Sequence, residues 1–156
     1  MPKLCESEIE YMAIGELESL GYTYISGVDL APDTTNAERQ SYGDVLLMGR
    51  LRTALTKLNP TVPADAIDSA SRRLSRIATS NLLADNEEFH KLLINGIPVE
   101  YRKSNDIIGD DVYAVDFNNP NNNEFLVVNQ YTVVQNNNNK RPDVLLFING
   151  IPMVLF

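Results

Sequence analysis

The feature that most restricts the fold is a pair of apolar runs near the end of the sequence, joined by Asn149-Gly150. The runs are Val144 to Ile148 and Ile151 to Phe156. Because an Asn-Gly pair accepts the positive φ angles of a two-residue turn, this pattern predicts a buried β-hairpin. Asp143 directly precedes the first run, so one carboxylate is expected at the edge of an otherwise apolar sheet. That position suits a metal ligand.

The composition indicates a single globular domain. A chain of 156 residues, 44% hydrophobic and 22% charged, is long enough to bury its own core, so we predict one domain over residues 1–156. No apolar run approaches the ~20 residues of a membrane span, and the first residues lack the pattern of a signal peptide. The lone Cys5 cannot form an internal disulfide, which indicates a reducing, cytoplasmic compartment.

Residue spacing predicts helices before Gly96 and strands after it. The first helix is expected from Glu6 to Leu20, with Ser7 as its cap and Glu10 closing a capping box. A short strand at 22–28 precedes further helices at 44–58, 63–77 and 85–95. Later strands are expected at 97–101, 112–117, 125–134, 144–148 and 153–156, with asparagine-rich loops at 118–123 and 136–139. This order predicts an α+β protein with a helical N-terminal half and a mixed sheet flanked by helices.

The net charge of −8 is unevenly distributed along the chain. Residues 1–40 hold eight acidic and two basic side chains, whereas residues 41–80 hold three acidic and six basic ones. Arg72, Arg73 and Arg76 share the polar face of the third predicted helix, where they would offer sequence-independent contacts to DNA phosphates. An ordinary solvated helix face is the alternative interpretation of the same pattern.

Several catalytic chemistries lack their residues in this sequence. It contains no Walker-type phosphate loop, no G-x-G-x-x-G after a strand and no serine in a nucleophile elbow. One histidine and one cysteine leave little from which to build a Ser-His-Asp or Cys-His arrangement. Carboxylate chemistry with a hard metal ion remains, for which the candidates are Asp143, Asp116, Glu100, Glu124 and the glutamates of the first helix.

Specific residue strings resemble a known family. They are Leu58-Asn59-Pro60, Asn86 to Leu93, Gly96 to Tyr101, Asp116 to Pro120, Asn123 to Val133 and Arg141 to Pro152. In this order they resemble the N-terminal region of the restriction (R) subunit of type I restriction-modification enzymes, over nearly the whole chain. The resemblance implies a nuclease domain of the PD-(D/E)xK class with an α/β/α, restriction-endonuclease-like core.

The resemblance assigns the catalytic motif to the hairpin. Pro142-Asp143 matches the first half of the motif, and the Glu-x-Lys half is expected beyond Phe156. We therefore expect a truncated domain that cannot cut DNA by itself. In the family pattern, Asp143 and the later glutamate bind Mg²⁺, and the lysine positions the nucleophile.

Two further assignments follow from the resemblance. A glutamate of the first helix often joins the metal site in this class, and Glu8 is preferred here over Glu6 and Glu10. Gln130 and Tyr131 either pack the sheet or contact DNA.

For the whole subunit, the resemblance implies Mg²⁺-dependent hydrolysis of foreign DNA coupled to ATP-driven translocation. The ATP-binding, helicase-like domains of the family lie further along and are absent from these residues. The implied partners are double-stranded DNA and the methyltransferase (M) and specificity (S) subunits, without a membrane. The alternative is a non-catalytic DNA-binding or docking module that contacts the methyltransferase subunits.

Overall fold

The computed structural model describes residues 5–77 and 81–156. The helices are α1 (Glu6–Ser19), α2 (Met48–Leu58), α3 (Ala64–Ser75) and α4 (Leu82–Asn95). The strands are β1 (Thr23–Ser26), β2 (Ile97–Lys103), β3 (Asp106–Val112), β4 (Phe125–Asn129), β5 (Val133–Gln135), β6 (Asn138–Lys140), β7 (Val144–Ile148) and β8 (Ile151–Leu155). This order confirms the α+β class and the helical N-terminal half. None of the helices in the described residues has the length and apolar character that crossing a bilayer requires.

The chain divides into two compact units. The first unit consists of the residues up to Leu47 together with Glu124–Phe156, and the second unit is Met48–Asn123. In the first unit, β1, β4, β7 and β8 form one mixed sheet in that order. β4 pairs in parallel with β1 and antiparallel with β7, and β7 and β8 form the predicted hairpin. Asn149 and Gly150 take φ angles of 53° and 79° in its turn, as an Asn-Gly pair predicts.

Both faces of this sheet are covered, which explains why its central strands are near-continuous apolar runs. On one face, Ile14 of α1 packs in a cluster with Val127, Val144 and Leu146. The other face packs with residues of the irregular segment between β1 and α2; this cluster contains Leu30, Leu47, Leu126, Val128, Tyr131, Leu145 and Phe147. Because Ile14 is held in the core, Glu10, which lies one helical turn before it, is also directed toward the sheet.

β4 ends earlier than the sequence predicts. The pattern indicates one strand over 125–134, but Gln130 takes a left-handed φ of 52° and breaks it. The chain then forms a separate antiparallel hairpin of β5 and β6. The predicted loop at 136–139 is therefore wrong at its end, since Asn138–Lys140 is a strand and only Asn136 and Asn137 form the turn, at φ 49° and 63°.

In the second unit, α3 packs against α2 and β2. The buried apolar residues of the second unit include Leu51, Leu55, Ile67, Leu74 and Leu92. The predicted strand at 112–117 is wrong, because β2 pairs with the preceding acidic segment and only Val112 belongs to a strand. That segment, Asp106–Val112, is largely exposed and so lacks the apolar signal of a buried strand. α4 also starts earlier than predicted, since Asn81 and not Asp85 caps it.

Candidate active site at the end of the sheet

Asp143 lies at one end of the mixed sheet, exposed to solvent and directly before β7. Its carbonyl oxygen accepts a hydrogen bond from the Gln130 N–H at 3.1 Å. Since Asn129 pairs with Val144 in the β4–β7 register, the left-handed turn at Gln130 sits beside Asp143. The end of β8 reaches the same place, because the Phe156 N–H donates to the Val144 carbonyl at 2.9 Å.

The start of α1 uses Glu8 as a capping residue. Cys5 is the N-cap, and its backbone N–H donates to Glu8 Oε2 at 2.8 Å. This bond and a weaker side-chain contact from Cys5 lower the pKa of Glu8. The predicted capping box of Ser7 and Glu10 is therefore wrong, because the N-cap is Cys5, two residues before Ser7, and its partner is Glu8.

Glu10 is the glutamate of α1 that reaches the sheet. It lies one turn before Ile14 and is half-buried. Its Oε1 accepts a hydrogen bond from Asn129 Nδ2 at 2.7 Å, and its Oε2 accepts one from Gln130 Nε2 at 3.0 Å. Because the Gln130 N–H also donates to the Asp143 carbonyl, the turn places Glu10 and Asp143 at the same end of the sheet.

Asn129 is itself held in orientation. Its Oδ1 accepts a hydrogen bond from the Tyr24 hydroxyl at 3.0 Å, so its Nδ2 is the atom left to face Glu10. Burial is the main cause that raises the pKa of Tyr24, which keeps this hydroxyl a donor. Tyr24, Asn129, Glu10 and Gln130 thus form one hydrogen-bonded chain across β1, β4 and α1.

Tyr131 lies in the core behind this chain. It is fully buried, stands edge-on to Phe147 and donates its hydroxyl to the carbonyls of Asp44 and Val45, each at 3.3 Å. Burial raises its pKa to about 12. Of the two residues that the sequence left open between packing and DNA contact, Tyr131 is a core residue and Gln130 is part of the site.

Arg39 and Gly27 contact residues on either side of the Gln130 turn. The sequence did not single out either residue. The guanidinium of Arg39 is buried 3.9 Å above the Tyr131 ring, and its Nη1 donates to the Thr132 carbonyl at 2.8 Å. Gly27 donates its N–H to the Asn129 carbonyl at 2.8 Å, and a Cβ on it would lie 2.3 Å from that oxygen. Neither residue stands in a motif, so its role emerges only from the packed structure.

The remaining predicted residues lie elsewhere. Arg72 and Arg73 are exposed at the end of α3 in the second unit, and Arg76 directly follows that helix. Arg73 Nη2 is 3.4 Å from Glu88 Oε1, with both side chains about half exposed. Glu124 precedes β4 at the end away from Asn129, and the second unit holds Glu100 in β2 and Asp116 in a turn.

Two carboxylates with hard oxygen donors fit Mg²⁺, which binds through one or two carboxylates and fills its remaining positions with water and phosphate oxygens. Each oxygen of Glu10 accepts one amide hydrogen bond and keeps a second lone pair. Within the described residues, no group of three or more His, Cys, Asp or Glu is placed to hold a metal ion. Glu10 and Asp143 at the end of the sheet therefore do not form a complete set of metal ligands among the described residues.

The fold is of the α+β class, with two acidic residues at one end of its mixed sheet, and likeness to known proteins identifies its family. The family described as "Type I restriction enzyme R protein N terminus" matches residues 3–156, so the chain belongs to this family. It is 36% identical to the type I restriction enzyme HindI endonuclease subunit of Haemophilus influenzae, over 98% of this chain and 15% of that protein. It is 34% identical to the putative type I restriction enzyme MjaIXP endonuclease subunit of Methanocaldococcus jannaschii, over 95% and 14%. The chain thus spans about a seventh of the length of these relatives.

Proposed function

We propose that this chain is the nuclease part of a type I restriction subunit and hydrolyses phosphodiester bonds of double-stranded DNA with Mg²⁺. The observation that carries the proposal is that Gln130, at the turn where β4 ends, hydrogen-bonds the Glu10 carboxylate through its side chain and the Asp143 carbonyl through its backbone. Both relatives are named as endonuclease subunits, which supports the same activity. A docking module would require neither carboxylate at this position.

Asp143 and Glu10 are the residues that would hold the metal. Mg²⁺ supplies a Lewis acid that activates water and stabilises charge on the scissile phosphate. The chain's own contribution is to hold the Glu10 carboxylate and the Asp143 backbone in place before the metal and DNA arrive. Asn129 and Gln130 hold both oxygens of Glu10, and the sheet register holds Asp143.

Glu10 therefore replaces Glu8 as our choice for the glutamate of the first helix. Glu8 is exposed and accepts the N–H that begins α1, whereas Glu10 contacts the residues next to Asp143. The end of β8 lies beside the start of β7, so a Glu-x-Lys pair after Phe156 would be carried toward the same end of the sheet.

The wider activity belongs to the whole subunit. We propose that cleavage is coupled there to ATP-driven translocation, and that the subunit works with methyltransferase and specificity subunits in the cytoplasm. Support comes from the type I restriction family to which the chain belongs.

Titration of the chain with Mn²⁺, followed by calorimetry, tests the metal role without depending on cleavage. Asp143→Asn and Glu10→Gln should each weaken binding, because each removes one anionic ligand. Asp111→Asn is the matched control, since Asp111 is an exposed aspartate of β3 in the other unit. Unchanged Mn²⁺ affinity in both site variants, or equal weakening in the control, would contradict the proposal.

A further inference from the structure

The hairpin of β5 and β6 lies between the Gln130 turn and Asp143 and contributes little to the core. Val133 pairs with Lys140, Val134 with Asn139 and Gln135 with Asn138. Only Val133, at its base, packs against the core cluster of the sheet. Residues 134–141 are all exposed. Two exposed strands are marginally stable by themselves, so packing does not explain why the chain carries this hairpin.

The base of the hairpin is nevertheless fixed. The Val134 N–H donates to the Tyr42 carbonyl at 3.0 Å, and buried Arg39 holds the Thr132 carbonyl at 2.8 Å. At the tip, Asn136 and Asn137 take the positive φ angles of a tight hairpin turn. The structure therefore presents a short ribbon from an anchored base.

The charge of this hairpin is opposite in sign to the net charge of the chain. Although the net charge is −8, no aspartate or glutamate occurs between Gln130 and Pro142, where the charged residues are Lys140 and Arg141. The other exposed side chains include five consecutive amides, from Gln135 to Asn139. Cations and amides are the groups that bind DNA phosphates and base edges, and a two-stranded ribbon fits the major groove.

From these observations we propose that the ribbon of residues 133–141 enters a groove of double-stranded DNA and holds the duplex next to Asp143, the proposed metal ligand. Pro142 alone separates Arg141 from Asp143, so their Cα atoms are at most about 7 Å apart. This inference rests on the proposed nuclease function for its placement. The binding of DNA by the ribbon can still be measured independently of cleavage.

The β2–β3 hairpin provides a matched control. It also carries an exposed basic pair, Arg102 and Lys103. Its other strand, however, holds Asp106, Asp110 and Asp111, and Tyr101 donates its hydroxyl to Asp110. A ribbon lined with carboxylates repels phosphates, so removing its basic pair should change DNA affinity little.

The experiment measures binding of the chain to a fluorescent DNA duplex by anisotropy at several salt concentrations. Lys140→Gln with Arg141→Gln should weaken binding about tenfold at low salt and reduce the slope of log affinity against log salt by up to about 2, as expected when two cations no longer neutralise phosphates. Arg102→Gln with Lys103→Gln should leave both quantities nearly unchanged. Circular dichroism checks that both double variants fold, which their exposed positions favour.

Equal losses of affinity in both double variants would show a general charge effect and overturn the proposal, as would no loss in the ribbon variant or no duplex binding by the wild-type chain. Tighter binding of single-stranded DNA would overturn the placement in a groove. The Asp143→Asn chain separates this inference from the nuclease proposal, because it should keep the ribbon's duplex affinity. If that variant cleaves normally in the complete subunit while the ribbon variant loses affinity, the nuclease proposal fails and ribbon binding stands.

Discussion

The sheet end of the first unit and the arginine face of α3 in the second unit were both predicted to meet DNA, yet they are built differently. Glu10 is held by Asn129 and Gln130, which are 119 and 120 residues away in the chain. Arg72 instead contacts Ser69 of its own helix, and Arg73 lies near Glu88 of α4. One region is fixed by hydrogen bonds between distant elements, whereas the other is an exposed surface with contacts to its own helix and to the next one.

This difference separates two kinds of function. Catalytic groups must be held within a fraction of an ångström, which requires supporting hydrogen bonds of the kind that Glu10 has. Non-specific attraction to phosphates requires only accessible positive charge. An exposed pair such as Arg73–Glu88 contributes about 0–1 kcal/mol and gives way easily to a phosphate. This difference supports our proposal that the sheet end carries the chemistry, and it suits α3 to attracting DNA phosphates.

The largest effect is expected from Asp143→Ala in the complete subunit. Cleavage of plasmid DNA should fall by about 10³-fold or more, because a ligand of the activating metal is removed. ATP-driven translocation should continue, since the family resemblance puts the motor in other domains. Assays of plasmid cleavage and of triplex displacement along DNA, made on one preparation, measure both activities.

The competing explanation of Asp143 is a turn cap after Pro142. In that case the variant would lose about 1 kcal/mol of stability, as other capping residues do, and would still cleave. A stable variant that translocates without cutting supports the metal role. A variant that cuts DNA normally would contradict the metal role of Asp143.

The second prediction compares Glu10→Gln with Glu8→Gln. The first change removes a charge and turns an amide N–H toward the donors of Asn129 or Gln130. Cleavage by the complete subunit should fall by at least about 10–100-fold, which is the loss when groups that only orient a metal ligand are removed. The second change weakens only the start of α1 and should leave cleavage unchanged. The reverse result would restore Glu8 as the metal ligand of the first helix.

Much of the sheet could be predicted from sequence because its signals are local. The Asn149-Gly150 turn, the β7 run and the position of Asp143 all follow from neighbouring residues. The pentapeptide Ile-Asn-Gly-Ile-Pro shows the limit, since it forms this turn at 148–152 but ends α4 and begins β2 at 94–98, with Gly96 at φ 92°. The preceding helix or strand decides the outcome, not the five residues.

The supporting contacts could not be predicted, because they join distant parts of the chain. The choice between Glu8 and Glu10 depends on which face of α1 packs on the sheet, and the contacts of Glu10 with Asn129 and Gln130 decide it. The buried position of Arg39 depends on the ring of Tyr131, which is 92 residues away by number. A single sequence shows neither pairing.

The third prediction concerns the arginine face. Replacing Arg72, Arg73 and Arg76 by glutamine should weaken duplex binding by the complete subunit and reduce its salt slope by about 1 for each arginine that neutralises a phosphate. Cleavage measured at saturating DNA should stay near the wild-type rate, because no metal ligand changes. Unchanged affinity and slope would favour the solvated helix face.

The smallest effect is expected at Asp116, a carboxylate of the second unit that is bound by amides as Glu10 is. Asn122 Nδ2 donates to its Oδ2 at 2.7 Å, and the N–H groups of Asn118 and Asn119 donate to its Oδ1 at 3.1 and 2.9 Å. The bond from Asn122 is the main cause that lowers the pKa of Asp116. These hydrogen bonds stabilise a turn, so Asp116→Asn should leave cleavage unchanged.

Its effect should instead appear in stability against pH. A lowered folded pKa means that the stabilisation by Asp116 is complete above the ordinary aspartate pKa of about 3.9 and is lost as the pH falls through the lower folded value. Urea unfolding should therefore show Asp116→Asn to be slightly less stable than wild type near neutral pH, with the difference shrinking below about pH 4. A difference that is independent of pH would mean that the turn is held by its shape and not by the charge. Loss of cleavage in Asp116→Asn would contradict the prediction that this carboxylate stabilises a turn and takes no part in the active site.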